Sequence, residues 1–275
     1  MFPTALTDAL KPEDPKGLAR ALDALQREFT VARDQRRGGY LRHRAAVEAY
    51  GHFYGLRTAL KTSVLLKELR PEATSILDLG AGTLGASLGA LHALESIDTV
   101  IALDRSKAAL QWGAEQVVRF RPNLTVKTQA WDALKPPKAF PKVDVAIIAN
   151  LLNEFNNPKR AESLVRAACR AVGPDGLVLI IEPGTRAASL QLIGLRESAK
   201  TRRPIAGPCF GAPTCPYAKN PRSGWCFSEL GGTEPDWYAT LREHAGIRQS
   251  RLAYSWLAFG PNPRASDKLA RVISG

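Results

Sequence analysis

Gly80, Gly82 and Gly85 close the stretch Ser-Ile-Leu-Asp-Leu-Gly-Ala-Gly-Thr-Leu-Gly from Ser75 to Gly85, in which the apolar Ile76, Leu77 and Leu79 run straight into a glycine turn. Glycine at Gly80 and Gly82, with Ala81 between them, lets the backbone turn tightly and approach a ligand, so the spacing predicts a nucleotide cradle. Further along, Asp104 ends the apolar run from Thr99 to Leu103. A carboxylate there can accept hydrogen bonds from both ribose hydroxyls of an adenosine. Trp131-Asp132 follows a third run, from Leu124 to Gln129, and pairs a ring that can pack on adenine with an acid that can accept its exocyclic amine proton. Asn150 ends the run from Val143 to Ile148 at the same predicted rim. Glu154 nearby is either a base or an acid at a helix start.

A second set of reactive groups is Cys209, Cys215 and Cys226, in a stretch rich in Pro and Gly. Three thiolates can converge on one metal, and soft sulfur ligands favour an iron-sulfur cluster or zinc. The C-x5-C-x10-C spacing is not that of a standard zinc finger, and unligated cysteines in a packed loop are the alternative. Cys169 stands alone in a helical pattern and reads as a small apolar filler.

These residues need strands that end side by side. Alternating strand and helix patterns over residues 75 to 200 predict an α/β fold: a doubly wound, mostly parallel sheet of the seven-stranded type, with its ligand at the carboxyl ends of the strands. Residues 1–70 read as a helical, basic extension. Asp14 caps a helix that starts at Pro15, carries Leu18, Leu22, Leu25 and Phe29, and stops near Arg37-Gly38-Gly39; a second helix from about Tyr40 carries Phe53, Leu56, Leu60 and Val64. Residues 71–200 form the nucleotide-binding core, 201–236 an aperiodic Cys/Pro/Gly-rich insertion, and 237–275 a helix and strand completing the core. Because Ala270 to Ile273 sits where a closing strand would begin, the sheet is expected to be incomplete at its C-terminal end.

The 275 residues carry 38 Lys and Arg against 26 Asp and Glu, a formal charge of +12 and a pI near 9.8. Such a surface attracts phosphate backbones, and the densest basic run, Arg33, Arg36, Arg37, Arg42, His43 and Arg44 around Tyr40, reads as an RNA-facing surface or as a solvated helix end. Asp8 interrupts any signal-like apolar run, and no later segment is apolar enough to span a membrane. The cysteine clustering fits a reducing compartment, so a cytoplasmic protein is expected.

Two cofactors suit the glycine turn, NAD and S-adenosylmethionine. Asp78 inside the first strand, in the order acid-Leu-Gly-Ala-Gly, resembles the first motif of class I S-adenosylmethionine methyltransferases, and Asp132 resembles their adenine-binding acid. The resemblance implies Gly80-Ala81-Gly82 at the methionine part of the ligand, Asp104 at the ribose and Trp131 with Asp132 at the adenine. Asn150 lacks the Asn-Pro-Pro-aromatic context of enzymes that methylate exocyclic base nitrogens, and no Pro-Cys nucleophile follows that strand, so no catalytic residue is assigned.

Tyr40 to Ala59, the Leu-Asp-Leu-Gly-Ala-Gly-Thr motif, Ile181-Glu182-Pro183-Gly184-Thr185 and Trp225-Cys226-Phe227 together resemble the methyltransferase-like proteins associated with the small ribosomal subunit in mitochondria and bacteria, over residues 35 to 273. The resemblance implies a factor for small-subunit assembly that binds ribosomal RNA and, in mitochondrial members, a four-iron cluster ligated here by Cys209, Cys215 and Cys226. Gly211 and Phe227 stand where members often carry His, and the family's fourth cysteine would fall beyond Gly275. Three functions follow as expectations: methyl transfer to ribosomal RNA, a non-catalytic assembly platform, and a small-molecule methyltransferase with incidental charge.

Overall fold

The computed structural model describes residues 2–30, 41, 43–135, 139–199, 203–209, 214–248 and 250–261. Its strands are β1 (Ser75–Leu79), β2 (Thr99–Asp104), β3 (Thr125–Ala130), β4 (Val143–Ala149), β5 (Val172–Pro183), β6 (Ile205–Gly207), β7 (Ser228–Leu230) and β8 (Leu252–Phe259). They form one sheet in the order β3-β2-β1-β4-β5-β8-β6, with β7 pairing β8 off that path. Strands β1 to β5 are parallel where they pair, whereas β8 runs antiparallel to β5, β6 and β7.

The helices are α1 (Thr4–Ala9), α2 (Pro15–Thr30), α3 (Arg44–Tyr50), α4 (Leu56–Leu69), α5 (Gly85–Ala93), α6 (Lys107–Phe120), α7 (Pro158–Ala171), α8 (Arg186–Ala199), α9 (Pro216–Lys219) and α10 (Asp236–His244). Side chains alternate across the sheet. Ile76, Val145, Ile147, Leu179 and Ile181 bury under α2, α4, α5 and α10, while Leu77, Leu79, Ile148, Val178 and Ile180 pack with the inner faces of α7 and α8. At the sheet edge, β3 is mostly exposed and carries Lys127, a charge that discourages pairing with another strand.

Asp14 does start α2, accepting the Gly17 N–H at 2.9 Å. The second long helix is interrupted: a π turn, Gly51–Gly55, separates α3 from α4. Phe53, Leu56 and Leu60 are buried, but Val64 is 42% exposed, because each four-residue step along α4 drifts ~40° around the axis and two such steps from Leu56 carry it off the buried side. Helix α4 lies tight on α5. A Cβ at Gly85 would meet the Gly55 carbonyl oxygen at 2.5 Å, and one at Gly89 would run into the backbone of Ala59.

Residues 201–236 supply β6, α9 and β7, and strands of three residues are too short to show a period. Strand β8 runs reversed between β5 and β6 in a sheet that is not closed. Ala270 to Ile273 lies outside the described residues, as do Arg33, Arg36, Arg37, Tyr40, Arg42 and Gly211. Of the basic run, His43 precedes α3 and the exposed Arg44 pairs with Glu48 at 2.7 Å.

Candidate functional site

Parallel strands deliver their carboxyl ends to one rim, and there a cleft of about 1010 Å³ opens between the β1–β2 side and the β4–β5 side. Gly80, Gly82, Asp104, Trp131, Asp132 and Asn150 all line it. Asp78 and Ala81 do not.

The turn after β1 needs its glycines. Gly80 has φ +74° and Gly82 φ +51°, and the N–H groups of Gly80 and Ala81 both donate to Leu103 O, at 2.8 and 3.0 Å. A Cβ on Gly80 would come within 2.9 Å of Leu151 Cδ2, whereas the nearest heavy atom to a Cβ on Gly82 would be in the Tyr50 ring at 3.9 Å. The backbone at Gly82 therefore stands open to a ligand. Beside it, Asp104 accepts the Gly82 N–H on Oδ2 at 2.9 Å and the Ser106 N–H on Oδ1 at 2.8 Å. Burial pushes the Asp104 carboxyl above the usual range, and these hydrogen bonds oppose the shift.

Asp78 does different work. Strand alternation puts it on the face of Ile76, under α5, where Oδ2 accepts the Ser87 N–H at 3.1 Å and its Oγ–H at 2.7 Å. Its Oδ1 is buried without a partner, and burial raises the carboxyl to about 6. Asp78 ties β1 to the start of α5 from behind the cleft.

Trp131 continues β3, donating its N–H to Asp104 O at 2.9 Å, and its ring meets Phe140 edge-on at 5.6 Å. Asp132 Oδ1 accepts the Leu134 N–H at 2.9 Å and shapes the wall that follows. Across the cleft, Asn150 has φ +55°; its N–H bonds Ile181 O at 2.8 Å and its Nδ2 donates to Thr58 Oγ1 at 3.2 Å. The extension thus reaches the site through Thr58 and Tyr50.

The group that shapes this second wall was not singled out from sequence as a site residue. Glu182, buried at the end of β5, accepts the N–H groups of Leu151 and Leu152 on Oε1 at 3.1 and 2.8 Å, and Asn153 N and Nδ2 on Oε2 at 3.3 and 2.6 Å. Burial raises its carboxyl to about 7 against the pull of those four donors. Its sequence signals were an acid at the end of an apolar run, just before Pro183, and its place in the Ile181–Thr185 motif of the family resemblance. The turn it holds ends in Glu154, which faces Arg105 at 3.7 Å across the cleft mouth.

Among the described residues no group of three His, Cys, Asp or Glu side chains is placed to hold a metal ion, so the cluster or zinc expected at Cys209, Cys215 and Cys226 gains no support. Cys215 is buried, its N–H on Glu197 Oε1 at 3.2 Å, whereas the backbone of Cys226 is pinned by Ser189 and Ser255. Cys169 packs against the α7–α8 core, its thiol raised by burial.

A parallel sheet with one reversed strand beside β5, and a glycine-floored cleft at its rim, define a class I methyltransferase fold. The N-methyltransferase NodS from Bradyrhizobium japonicum WM9, solved with S-adenosyl-L-homocysteine, superposes with a TM-score of 0.50 at 10% identity, covering 88% of this chain and 98% of that one. Weaker likenesses, on which nothing is built, are the plantazolicin methyltransferase BpumL with a substrate analogue and S-adenosyl-L-homocysteine (TM-score 0.46, 14% identity, 90% of this chain and 98% of that) and a putative RNA methyltransferase from Pyrococcus horikoshii (0.44, 16%, 75% and 85%). No curated protein sequence matches the chain significantly. Residues 40–273 match the family described as mitochondrial small ribosomal subunit Rsm22, and the chain belongs to that family. Among the described residues no helix is long and apolar enough to cross a membrane.

Proposed function

We propose that the chain binds S-adenosylmethionine in the cleft and acts as a methyltransferase, or methyltransferase-like factor, on ribosomal RNA of the small subunit during assembly. The observation that carries the reading is the placement of Asp104 against the open backbone of Gly82, with Trp131, Asp132 and Asn150 on the same cleft. On this reading Asp104 accepts the ribose hydroxyls, Trp131 and Asp132 receive the adenine, and Gly80 to Gly82 give the methionine end room.

The cofactor, when bound, supplies an activated methyl group. What the chain contributes is position, because transfer needs an acceptor in line with the sulfonium and water kept out. Asn150, fixed by Ile181 and Thr58, and the Leu151–Glu154 turn, fixed by Glu182, form the acceptor-side wall. Glu154 is the titratable side chain there that is placed to take a proton. Calorimetric titration with S-adenosylmethionine tests binding: heat that disappears in Asp104→Ala supports the reading, and absence of heat at millimolar ligand with intact protein removes it.

A second reading, a platform that binds the cofactor without turnover, is favoured by the commitment of Asn150 to Thr58 and the pairing of Glu154 with Arg105. Labelled methyl appearing in small-subunit RNA would reject it. The compartment follows the subunit served: cytoplasmic on the sequence reading, mitochondrial in the family's description.

A further inference from the structure

Trp225 and Phe227 are 37% and 43% exposed, rare for such large apolar groups among the described residues. They stand together, ring centroids 6.0 Å apart and tilted by 32°. Exposure of one aromatic ring is ordinary; two adjacent ones held in place call for a reason.

They are held in place. The Trp225 indole N–H donates to Gly184 O at 3.0 Å, one residue before Thr185, which lines the cleft. Between the two rings, the Cys226 N–H donates to Ser189 Oγ at 3.0 Å, and Cys226 O accepts from Ser189 Oγ at 2.7 Å and Ser255 Oγ at 2.9 Å. The segment is therefore a strap clamped to the first turns of α8 and to β8, with its rings outward at the rim. Beyond Phe227 the exposed Glu229 pairs with Arg251 at 3.2 Å, and on the side of Arg186 the charge is positive. Arg186 Nη2 donates to Pro221 O at 2.8 Å, and Arg186, Lys219 and Arg222 are all exposed.

From this juxtaposition we propose that Trp225 and Phe227 form a stacking platform for an unpaired RNA base at the acceptor side of the cleft, with Arg186, Lys219 and Arg222 on the flanking phosphates. The inference rests on the reading of RNA as the partner and adds where and in what state the RNA is held. A base between two rings would need about 7 Å, twice the ~3.4 Å spacing of stacked bases. The 6.0 Å spacing and the tilt leave no such slot. The base stacks on an outer face instead, which selects single strands over duplex, since every base has a π-face and only unpaired ones offer it.

The test is fluorescence anisotropy of the full chain with an unstructured oligoadenylate and with duplex RNA of equal length, at fixed ionic strength. Trp225→Ala and Phe227→Ala are each expected to weaken the single strand about tenfold, with duplex affinity and the salt slope unchanged and Trp225→Phe retaining most of the affinity. Phe227→Ala leaves the indole bond to Gly184 in place and guards against misfolding of the strap. Wild-type binding that neither alanine variant weakens overturns the platform alone. Equal losses on duplex and single strand overturn it too, as does weakened binding to RNA-free small-subunit proteins with the oligoadenylate unaffected. Wild-type indifference to both RNAs removes the RNA reading and the platform together, while cofactor titration still stands or falls by itself.

Discussion

On the β1–β2 side, Asp104 lines the cleft; on the β4–β5 side, Glu182 is buried and acts through the Leu151–Asn153 turn it holds. One wall offers a charge to be recognised, and the other offers a shape that a hidden charge maintains. Substitution should separate them: the first wall loses affinity with little loss of stability, the second loses stability first. The halves touch where Gly80 meets Leu151.

The largest effect is expected there. Gly80→Val adds a branched side chain at φ +74° and against Leu151, a combined cost of about 3–5 kcal/mol from left-handed strain and overpacking, read as a lower denaturant midpoint and lost cofactor heat. Next, Glu182→Ala strands four donors and should cost about 3 kcal/mol in chemical denaturation; a change under ~1 kcal/mol would erase the contrast between the walls.

Protonation probes Glu182 on this wall and Asp78 behind the other. Glu182 at about 7 and Asp78 at about 6 both lie above their unfolded values of 4.5 and 3.8, so the folded state binds more protons. Their stabilising contribution is complete below the unfolded values and is lost as pH rises through about 6 to 7. Unfolding midpoints should fall across that window, and Glu182→Gln should flatten its upper part.

On the first wall, Asp104→Ala should weaken S-adenosylmethionine about a hundredfold, or ~2.7 kcal/mol, while freeing the Gly82 and Ser106 N–H groups at the open cleft should cost only about 1 kcal/mol of stability. Smallest of all, Arg105→Ala removes a half-exposed partner 3.7 Å from Glu154 and should shift stability by no more than ~0.5 kcal/mol. A larger shift would mean that the mouth of the cleft couples the two walls.

Most of the sheet was legible because β1, β2, β4 and β5 are mostly apolar runs closed by Gly, Asp, Asn and Glu. Strand β6 was not: it has three residues and owes its place to β8. Asp78 matched a motif, yet the motif does not say which face of the strand an acid takes, and alternation turns this one toward α5. Cys209, Cys215 and Cys226 are close in sequence, but that closeness does not foretell that Cys215 is buried and that the Cys226 backbone is clamped by two serines. Glu182 escaped because three of its four donors are backbone amides, which leave no trace in residue types, and the fourth, the Asn153 side chain, lies 29 residues away in sequence.

The close fit of α4 on α5 has a consequence for synthesis. The ribosome releases α4 before its partner exists, and the apolar side of α4 stays uncovered until α5 has emerged, ~1–5 s later at ~5–20 residues per second. For that interval a factor matched to small ribosomal subunits is itself a nascent chain with a greasy helix beside the exit.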